Sequence, residues 1–138
     1  MPELLKKSIQ NFSAASLLIE NELYASSVHC SYYSCLQKLK NVISQAYNIE
    51  YDELETERRQ LNRKNISRNL ATHEFLIDRK LLDLIRRERK DHRLINEIND
   101  IKLYRTTSDY DNIAISGTEA EAVLFKTQKA IEKLNTLI

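Results

Sequence analysis

The sequence predicts an all-α protein, and its turn residues, periodicity and length support that fold class. One glycine and one proline occur among 138 residues, which leaves little to form the tight turns of a β-sheet. Apolar residues recur instead at steps of three and four, the period of an amphipathic helix. A chain of this length buries one hydrophobic core rather than two. We therefore predict a single all-helical domain over residues 1–138.

The first two predicted helices carry the clearest apolar stripes. We expect helix one from about Pro2 to Asn21, because proline suits the first helical position. Its inward stripe is predicted to be Leu5, Ile9, Phe12, Ser16 and Ile19. The other side, with Asn11, is expected to face water. Helix two should run unbroken from Tyr24 to Tyr47 and be the longest. Small residues in its first half would let a neighbouring helix approach closely, namely Ala25, Ser26, Ser27, Ser31 and Ser34.

The middle of the chain has a weaker helical pattern and most of the clustered positive charge. The apolar period fades from Asn48 to Asn69, which predicts a short solvated helix and then a loop around residues 62–65. Between about Ser67 and Arg87 it returns and predicts one or two short helices. The basic group comprises Arg58, Arg59, Arg63, Lys64, Arg68, Arg79, Lys80, Arg86, Arg87, Arg89 and Lys90. Such a run suits phosphate contact, but it is also typical of a solvated helix face.

Two more helices complete the predicted core. The first is expected from Asp91 to Asp109 with Asp91 as its N-cap. Its stripe is Leu94, Ile98 and Ile101. After a break at Ser116 and Gly117, the four residues from Thr118 to Glu121 have the spacing of a capping box. We expect the last helix to begin there, with an inner side formed by Val123, Ala130, Leu134 and Leu137.

The charge balance, cysteines and histidines limit the classes of function. The 21 basic and 20 acidic residues nearly cancel, so the chain has no general attraction to nucleic acid. Cys30 and Cys35 are spaced for neither a zinc pair nor a disulfide. Because there is no apolar leader and no long apolar run, we expect a cytoplasmic protein with reduced thiols and no membrane segment. His29, His73 and His92 fall on different segments without metal-site spacing, so no metal or cofactor is predicted.

The stretch from Ile101 to Asn112, IKLYRTTSDYDN, is where we expect any chemistry. It places Arg105, Asp109 and Tyr110 at the end of a helix. The spacing of Arg105 and Asp109 also fits a simple surface ion pair. Tyr110 equally fits a ring that covers the end of the core with its hydroxyl in water.

Two motifs in this order resemble those of HEPN domains (higher eukaryotes and prokaryotes nucleotide-binding). The segment from Tyr24 to Ser34, YASSVHCSYYS, is similar to the family's Y-x-x-A/S…x-Y-Y-A/S segment. The segment from Leu103 to Tyr110, LYRTTSDY, resembles the R-x-x-A-D-Y version of the family signature. The resemblance implies an up-and-down bundle of four main helices, plus short connecting helices, that forms a homodimer with the signature arginines facing one cleft. Many members are metal-independent RNases in toxin–antitoxin or defence systems, often encoded beside a nucleotidyltransferase-like partner protein.

The resemblance implies roles for particular residues and one departure from the pattern. The family signature is an arginine, four to six residues, and a histidine, whereas here Tyr110 stands five positions after Arg105. The ordinary tyrosine pKa of about 10 leaves only about one phenol in a thousand ionised at pH 7, so a tyrosine is a poor base. We expect Arg105, Asp109 and Tyr110 to be catalytic. The predicted substrate-binding residues, for RNA or a nucleotide, are His29, Tyr32, Tyr33 and Asn112.

His29 and the tyrosine pair have open alternatives, and so does the whole domain. His29 lies near Tyr32 and Tyr33 on helix two and could approach Arg105 across the bundle. The three histidines also fit unrelated surface positions, and the two tyrosines also fit packing residues. For the whole domain, the alternative to an RNA-cleaving enzyme is a catalytically inactive HEPN dimer that serves as a protein-interaction module.

Overall fold

The computed structural model describes residues 2–64 and 70–138, and within these ranges the regular secondary structure is helical throughout. The helices are α1 (Glu3–Glu20), α2 (Tyr24–Tyr47), α3 (Tyr51–Lys64), α4 (72–88), α5 (Arg93–Tyr110) and α6 (Gly117–Asn135). The unbroken helix α4 consists of Thr72–Glu74, a π-helical segment Phe75–Leu81 and Leu82–Glu88. The all-α prediction is confirmed. Three predicted features lie outside the described residues, namely the loop end at Asn65, the helix start at Ser67 and the basic residue Arg68.

Helix α2 is the centre of the bundle, and it packs against α1, α5 and α6. Its bounds are as predicted, because no breaker interrupts it, and its inward face is an apolar stripe. The fully buried positions of the stripe are Val28, Tyr32, Cys35, Leu39, Val42 and Ile43. Both cysteines of this helix are free thiols. Burial raises the pKa of Cys35 to about 12, so this thiol is unreactive at neutral pH.

Small residues hold α1 and α2 together as an antiparallel pair. Ser8 Oγ donates to the carbonyl oxygen of Ser34 at 2.7 Å, and Ser34 Oγ donates to the carbonyl oxygen of Ser8 at 2.7 Å. Further along, Ser27 Oγ donates to the carbonyl oxygen of Ala15 at 2.8 Å. Side chains that bond the neighbouring backbone directly require a close approach of the two helices. The predicted close contact is therefore confirmed at Ser27 and Ser34.

The predicted inward stripe of α1 is wrong in its details. The residues of α1 that are buried are Ser8 and Ala15, whereas Ile9 is 51% exposed and Ser16 is exposed. Asn11, expected in water, donates through Nδ2 to Gln37 Oε1 of α2 at 2.9 Å. The small residues face α2 because only they allow the short interhelical distance, and the large apolar residues are displaced to the flank.

The predicted N-caps of α5 and α6 are off by one and two residues, respectively. Helix α5 begins at Arg93, and Asp91 Oδ1 accepts the Arg93 backbone N–H at 2.9 Å from outside the helix. The capping box of α6 is formed by Ser116 and Glu119, not by Thr118 and Glu121. Ser116 Oγ accepts the Glu119 N–H at 3.1 Å, and Glu119 Oε1 accepts the Ser116 N–H at 3.3 Å. Both pairs have the required spacing, so spacing alone does not choose between them.

Glycine at the first position of α6 has a packing reason. A Cβ atom at Gly117 would lie 3.0 Å from Cζ of Tyr24, a contact so tight that the ring would have to shift. Removal of the side chain therefore lets the start of α6 rest against the start of α2. The predicted inner side of α6 is confirmed, since Val123, Ala130, Leu134 and Leu137 are buried.

The middle of the chain is more regular than predicted. Helix α3 is 14 residues long and contains Asn62, which the sequence placed in a loop. The Asn62 amide binds both backbone groups of Leu70, at 2.8 Å and 3.0 Å. One continuous α4 replaces the one or two short helices that were predicted. Helix propensity and ion pairs along α3 explain why it forms with Leu54 as its buried residue.

Candidate functional site

The end of α5 lies antiparallel against the first half of α2, and this contact forms the candidate site. It brings Arg105 and Asp109 of α5 next to His29 and Tyr33 of α2. These pairs are separated by 72 and 80 residues in the sequence. Ser108 Oγ fixes the register of the two helices by donating to the carbonyl oxygen of Ala25 at 3.1 Å.

The Asp109 carboxylate joins an imidazole to a guanidinium. Its Oδ2 lies 2.9 Å from His29 Nδ1 and 3.0 Å from Arg105 Nε. The side chains of His29, Asp109 and Arg105 are 46%, 22% and 15% exposed. Since a carboxylate only accepts hydrogen bonds, the tautomer that fits this contact has the proton on Nδ1 and the lone pair on Nε2. The arrangement therefore presents Nε2 of His29 as a base, with the ring held in place by Asp109 through Nδ1.

Aromatic rings surround the Arg105 guanidinium. Its centre lies 5.7 Å from the ring of Tyr32, 5.3 Å from that of Tyr33 and 5.6 Å from that of Tyr110. Nη2 donates to the Tyr33 hydroxyl at 3.0 Å. The Nε–H is buried and is not aligned with Asp109 despite the short distance, so the contact there is an ion pair without a linear hydrogen bond. Nη1 has no partner among the described residues and is the nitrogen free to bind an anion.

A second hydrogen bond, which is partly buried, holds Tyr32 of the tyrosine pair. The Tyr32 hydroxyl lies 2.9 Å from His73 Nδ1. Burial raises the pKa of Tyr32, with Cys35 and Tyr33 adding to the effect and Arg105 opposing it. Burial, followed by the positive charges of Lys102 and Arg105, lowers the pKa of His73. Both groups are therefore neutral at pH 7, and the phenol donates to the imidazole.

The structure brings together six of the seven predicted site residues. Arg105, Asp109, Tyr110, His29, Tyr32 and Tyr33 all belong to the cluster. Asn112 does not, since it lies exposed after α5 and makes no hydrogen bond to a described residue. Tyr110 contributes its ring to Arg105 but is 72% exposed.

The prediction of three unrelated histidines is wrong for two of them. The rings of His29 and His73 lie 4.7 Å and 5.9 Å from the ring of Tyr33. His92 lies apart, at the other end of α5. His73 is the site residue that sequence reasoning missed, because it stands 41 residues from Tyr32 and no local pattern links them. In residues 2–64 and 70–138, no three His, Cys, Asp or Glu side chains are grouped to hold a metal ion.

Part of the basic group of the middle third is engaged by the protein itself. Arg58 forms an ion pair with Glu55, and Lys80 Nζ lies 3.1 Å from Glu57 Oε1. Arg87 also donates to a backbone carbonyl, that of Ala46, at 3.2 Å. These contacts reduce the positive charge that Arg58, Lys80 and Arg87 can offer to phosphate.

Comparison with known proteins adds no assignment to this geometry. No protein-family model matches the chain, and no curated protein sequence matches it. Among the described residues, none of the helices is both long enough and apolar enough to span a bilayer. The function is therefore inferred from the chemistry of the clustered side chains themselves.

Proposed function

We propose that this protein is a HEPN-like domain that cleaves RNA without a metal ion, with His29 in the role of the histidine that the sequence motif lacks. One observation carries the proposal, namely that Asp109 Oδ2 lies within 3.0 Å of both His29 Nδ1 and Arg105 Nε. A carboxylate that holds an imidazole and a guanidinium at the surface supplies a base and a cation together. Metal-independent phosphodiester cleavage requires both.

Each group has a defined task in the proposed reaction. His29 Nε2 takes the proton of the ribose 2′-hydroxyl, and the 2′-oxygen attacks phosphorus. Arg105 Nη1 binds the non-bridging oxygen on which negative charge grows. The bond to the 5′-oxygen breaks, and the Tyr110 hydroxyl donates a proton to that oxygen. The products are a 2′,3′-cyclic phosphate and a free 5′-hydroxyl, and the proton taken by His29 returns to the tyrosine through water.

The proposal includes a homodimer, and the surface around Tyr110 supports it. Leu103, Tyr110 and Ile113 are large apolar residues in the second half of α5 or just after it, and each is more than 60% exposed. A second copy that covers them would place two Arg105 side chains at one cleft.

The test is RNA cleavage in EDTA by purified wild-type protein and matched histidine variants. We expect His29→Ala and Arg105→Ala each to lower the cleavage rate by about 100-fold or more, as for loss of a general base or of transition-state charge stabilisation. His92→Ala is the control, because His92 lies about 25 Å away along α5 and should retain full activity. Equal losses in all three variants, or unchanged activity in His29→Ala, would contradict the proposal.

The second candidate function is a catalytically inactive module that docks a partner protein, such as a nucleotidyltransferase-like protein. The observation in its favour is that Arg105 is only 15% exposed and already binds Asp109 and Tyr33. Wild-type protein that cleaves no RNA, together with a complex that Leu103→Asp dissociates, would favour this function. RNA cleavage by the wild-type protein that is lost in His29→Ala would exclude it.

A further inference from the structure

Helices α1, α2 and α6 leave an apolar groove on the side of the bundle away from the Asp109 cluster. The groove has a volume of about 440 Å³. Its apolar walls are Leu5, Ile9, Phe12 and Ile131. His29 and Lys38 stand nine residues apart on α2, about two and a half turns, so they point to opposite sides of that helix. The groove is therefore separate from the candidate RNA site.

An unpaired lysine lies against this groove. Lys38 is only 8% exposed, and it has no ion pair or hydrogen bond to any described residue. An ammonium on a largely buried side chain is poorly hydrated when it lacks a partner, and burial lowers the pKa of Lys38. The acidic residue at the groove is Glu132, which pairs with Lys129 at 3.4 Å. Ser8 and Ser34, also at the groove, use their hydroxyls on each other's carbonyl oxygens.

We propose that this groove binds a small apolar molecule that carries one carboxylate, such as a medium-chain fatty acid, with the carboxylate against Lys38 Nζ. One buried cation without a counter-ion matches one negative charge. The walls offer hydrocarbon surface to a hydrocarbon tail. The volume lies within the range of about 300–1,000 Å³ that is usual for small-molecule sites.

The composition of the groove argues against other ligand classes. A nucleotide or polyphosphate needs several cations and donors, and among the described residues Lys38 is the sole cation that lines the groove. A cationic amphiphile would face Lys38 directly and be repelled. A neutral hydrocarbon would leave the ammonium unpaired. The single carboxylate is thus the head group that the lysine selects.

Titration with decanoate below its critical micelle concentration, followed by heteronuclear NMR, tests the proposal. We expect shifts at groove residues and an affinity that rises about fourfold per added methylene until the groove is full. Decanol should bind at least about tenfold more weakly than decanoate, since it lacks the charge-assisted bond. Lys38→Met should weaken decanoate binding by a similar factor and leave decanol binding unchanged.

Two controls keep the proposal falsifiable. Lys7→Met removes an exposed lysine of α1 and should bind decanoate like the wild type. A thermal melt checks that Lys38→Met is folded. Equal decanoate binding by wild type and Lys38→Met would overturn the proposal, as would shifts confined to residues outside the groove. A concentration-dependent dimer that Ile9→Glu dissociates and decanoate leaves intact would also overturn it, because a second copy of the chain would then occupy the groove.

Discussion

At the scale of single residues, Asp109 determines the chemistry that its neighbours can perform. Without its carboxylate, the tautomer of His29 is not fixed, and Arg105 keeps only its contacts with the tyrosines. The sequence predicted Arg105, Asp109 and Tyr110 through the segment that resembles the HEPN signature, and all three lie within two turns of one helix. It indicated only that His29 could approach Arg105 across the bundle, since the pairing depends on the register of α5 against α2.

His73 shows what sequence reasoning does not reach. Its contact with Tyr32 depends on how α4 crosses the bundle, and no periodic pattern encodes that crossing. The same holds for Lys38, which appears in sequence as one more polar residue of α2. The burial of Lys38 results from the packing of three helices, so it cannot be predicted from the sequence of α2 alone.

The partly buried His73 should make the stability of the protein depend on pH. Burial, Lys102 and Arg105 lower its pKa in the folded state, so the unfolded chain binds a proton first as the pH falls. The free energy of unfolding contributed by this residue is therefore complete above its ordinary pKa of 6.5 and decreases as the pH falls below that value. We expect His73→Gln to lose part of this pH dependence.

Urea unfolding at about pH 7.5 and pH 5.5 measures the effect on either side of the ordinary histidine pKa. The difference in unfolding free energy between the two pH values should be smaller in His73→Gln than in wild type. His92→Gln is the control, because His92 has no side-chain bond at the start of α5. An identical difference in wild type and His73→Gln would show that this imidazole does not resist protonation.

At the scale of helices, the sequence predicted the middle of each helix better than its first and last residues. The bounds of α2 followed from an unbroken apolar period, and the stripes of α5 and α6 were correct. The starts of α5 and α6 were misplaced because several polar residues near each start could serve as a cap. The face of α1 was misplaced because hydrophobicity alone favours its large residues, whereas the small residues of α2 favour Ser8 and Ala15.

The capping box of α6 gives a direct test at this scale. Ser116 Oγ accepts the Glu119 N–H, so Ser116→Ala should lower the free energy of unfolding by about 1 kcal/mol. Thr118→Ala is the matched control and should change stability by less than about 0.5 kcal/mol, because Thr118 is exposed within the first turn of α6. Chemical denaturation of both variants measures the two changes in the free energy of unfolding. A larger loss in Thr118→Ala would mean that the helix begins two residues later, as the sequence had predicted.

At the scale of the whole molecule, the bundle depends on the short distance between α1 and α2. Ser27 is fully buried and bonds the backbone of α1, whereas its neighbour Ser26 is exposed. Ser27→Leu adds three carbon atoms where the helices touch and removes a hydrogen bond. We expect it to lower the free energy of unfolding by about 2–4 kcal/mol.

Ser26→Leu is the matched control, with the same chemical change one position away. It should stay within about 0.5 kcal/mol of wild type. Urea denaturation of the two variants gives the comparison. Equal stabilities would show that α1 moves aside at little cost and that the small residues do not set the distance between the helices.

The long sequence separation within the site bears on when it is assembled during synthesis. The α1–α2 hairpin closes over residues 21–23, and such local contacts form quickly. The pairing of His29 with Asp109 instead spans 80 residues. A nascent chain can thus complete its first hairpin while the aspartate and arginine are still untranslated. A chain that cleaves RNA would stay inert beside the messenger that encodes it until α5 has left the ribosome.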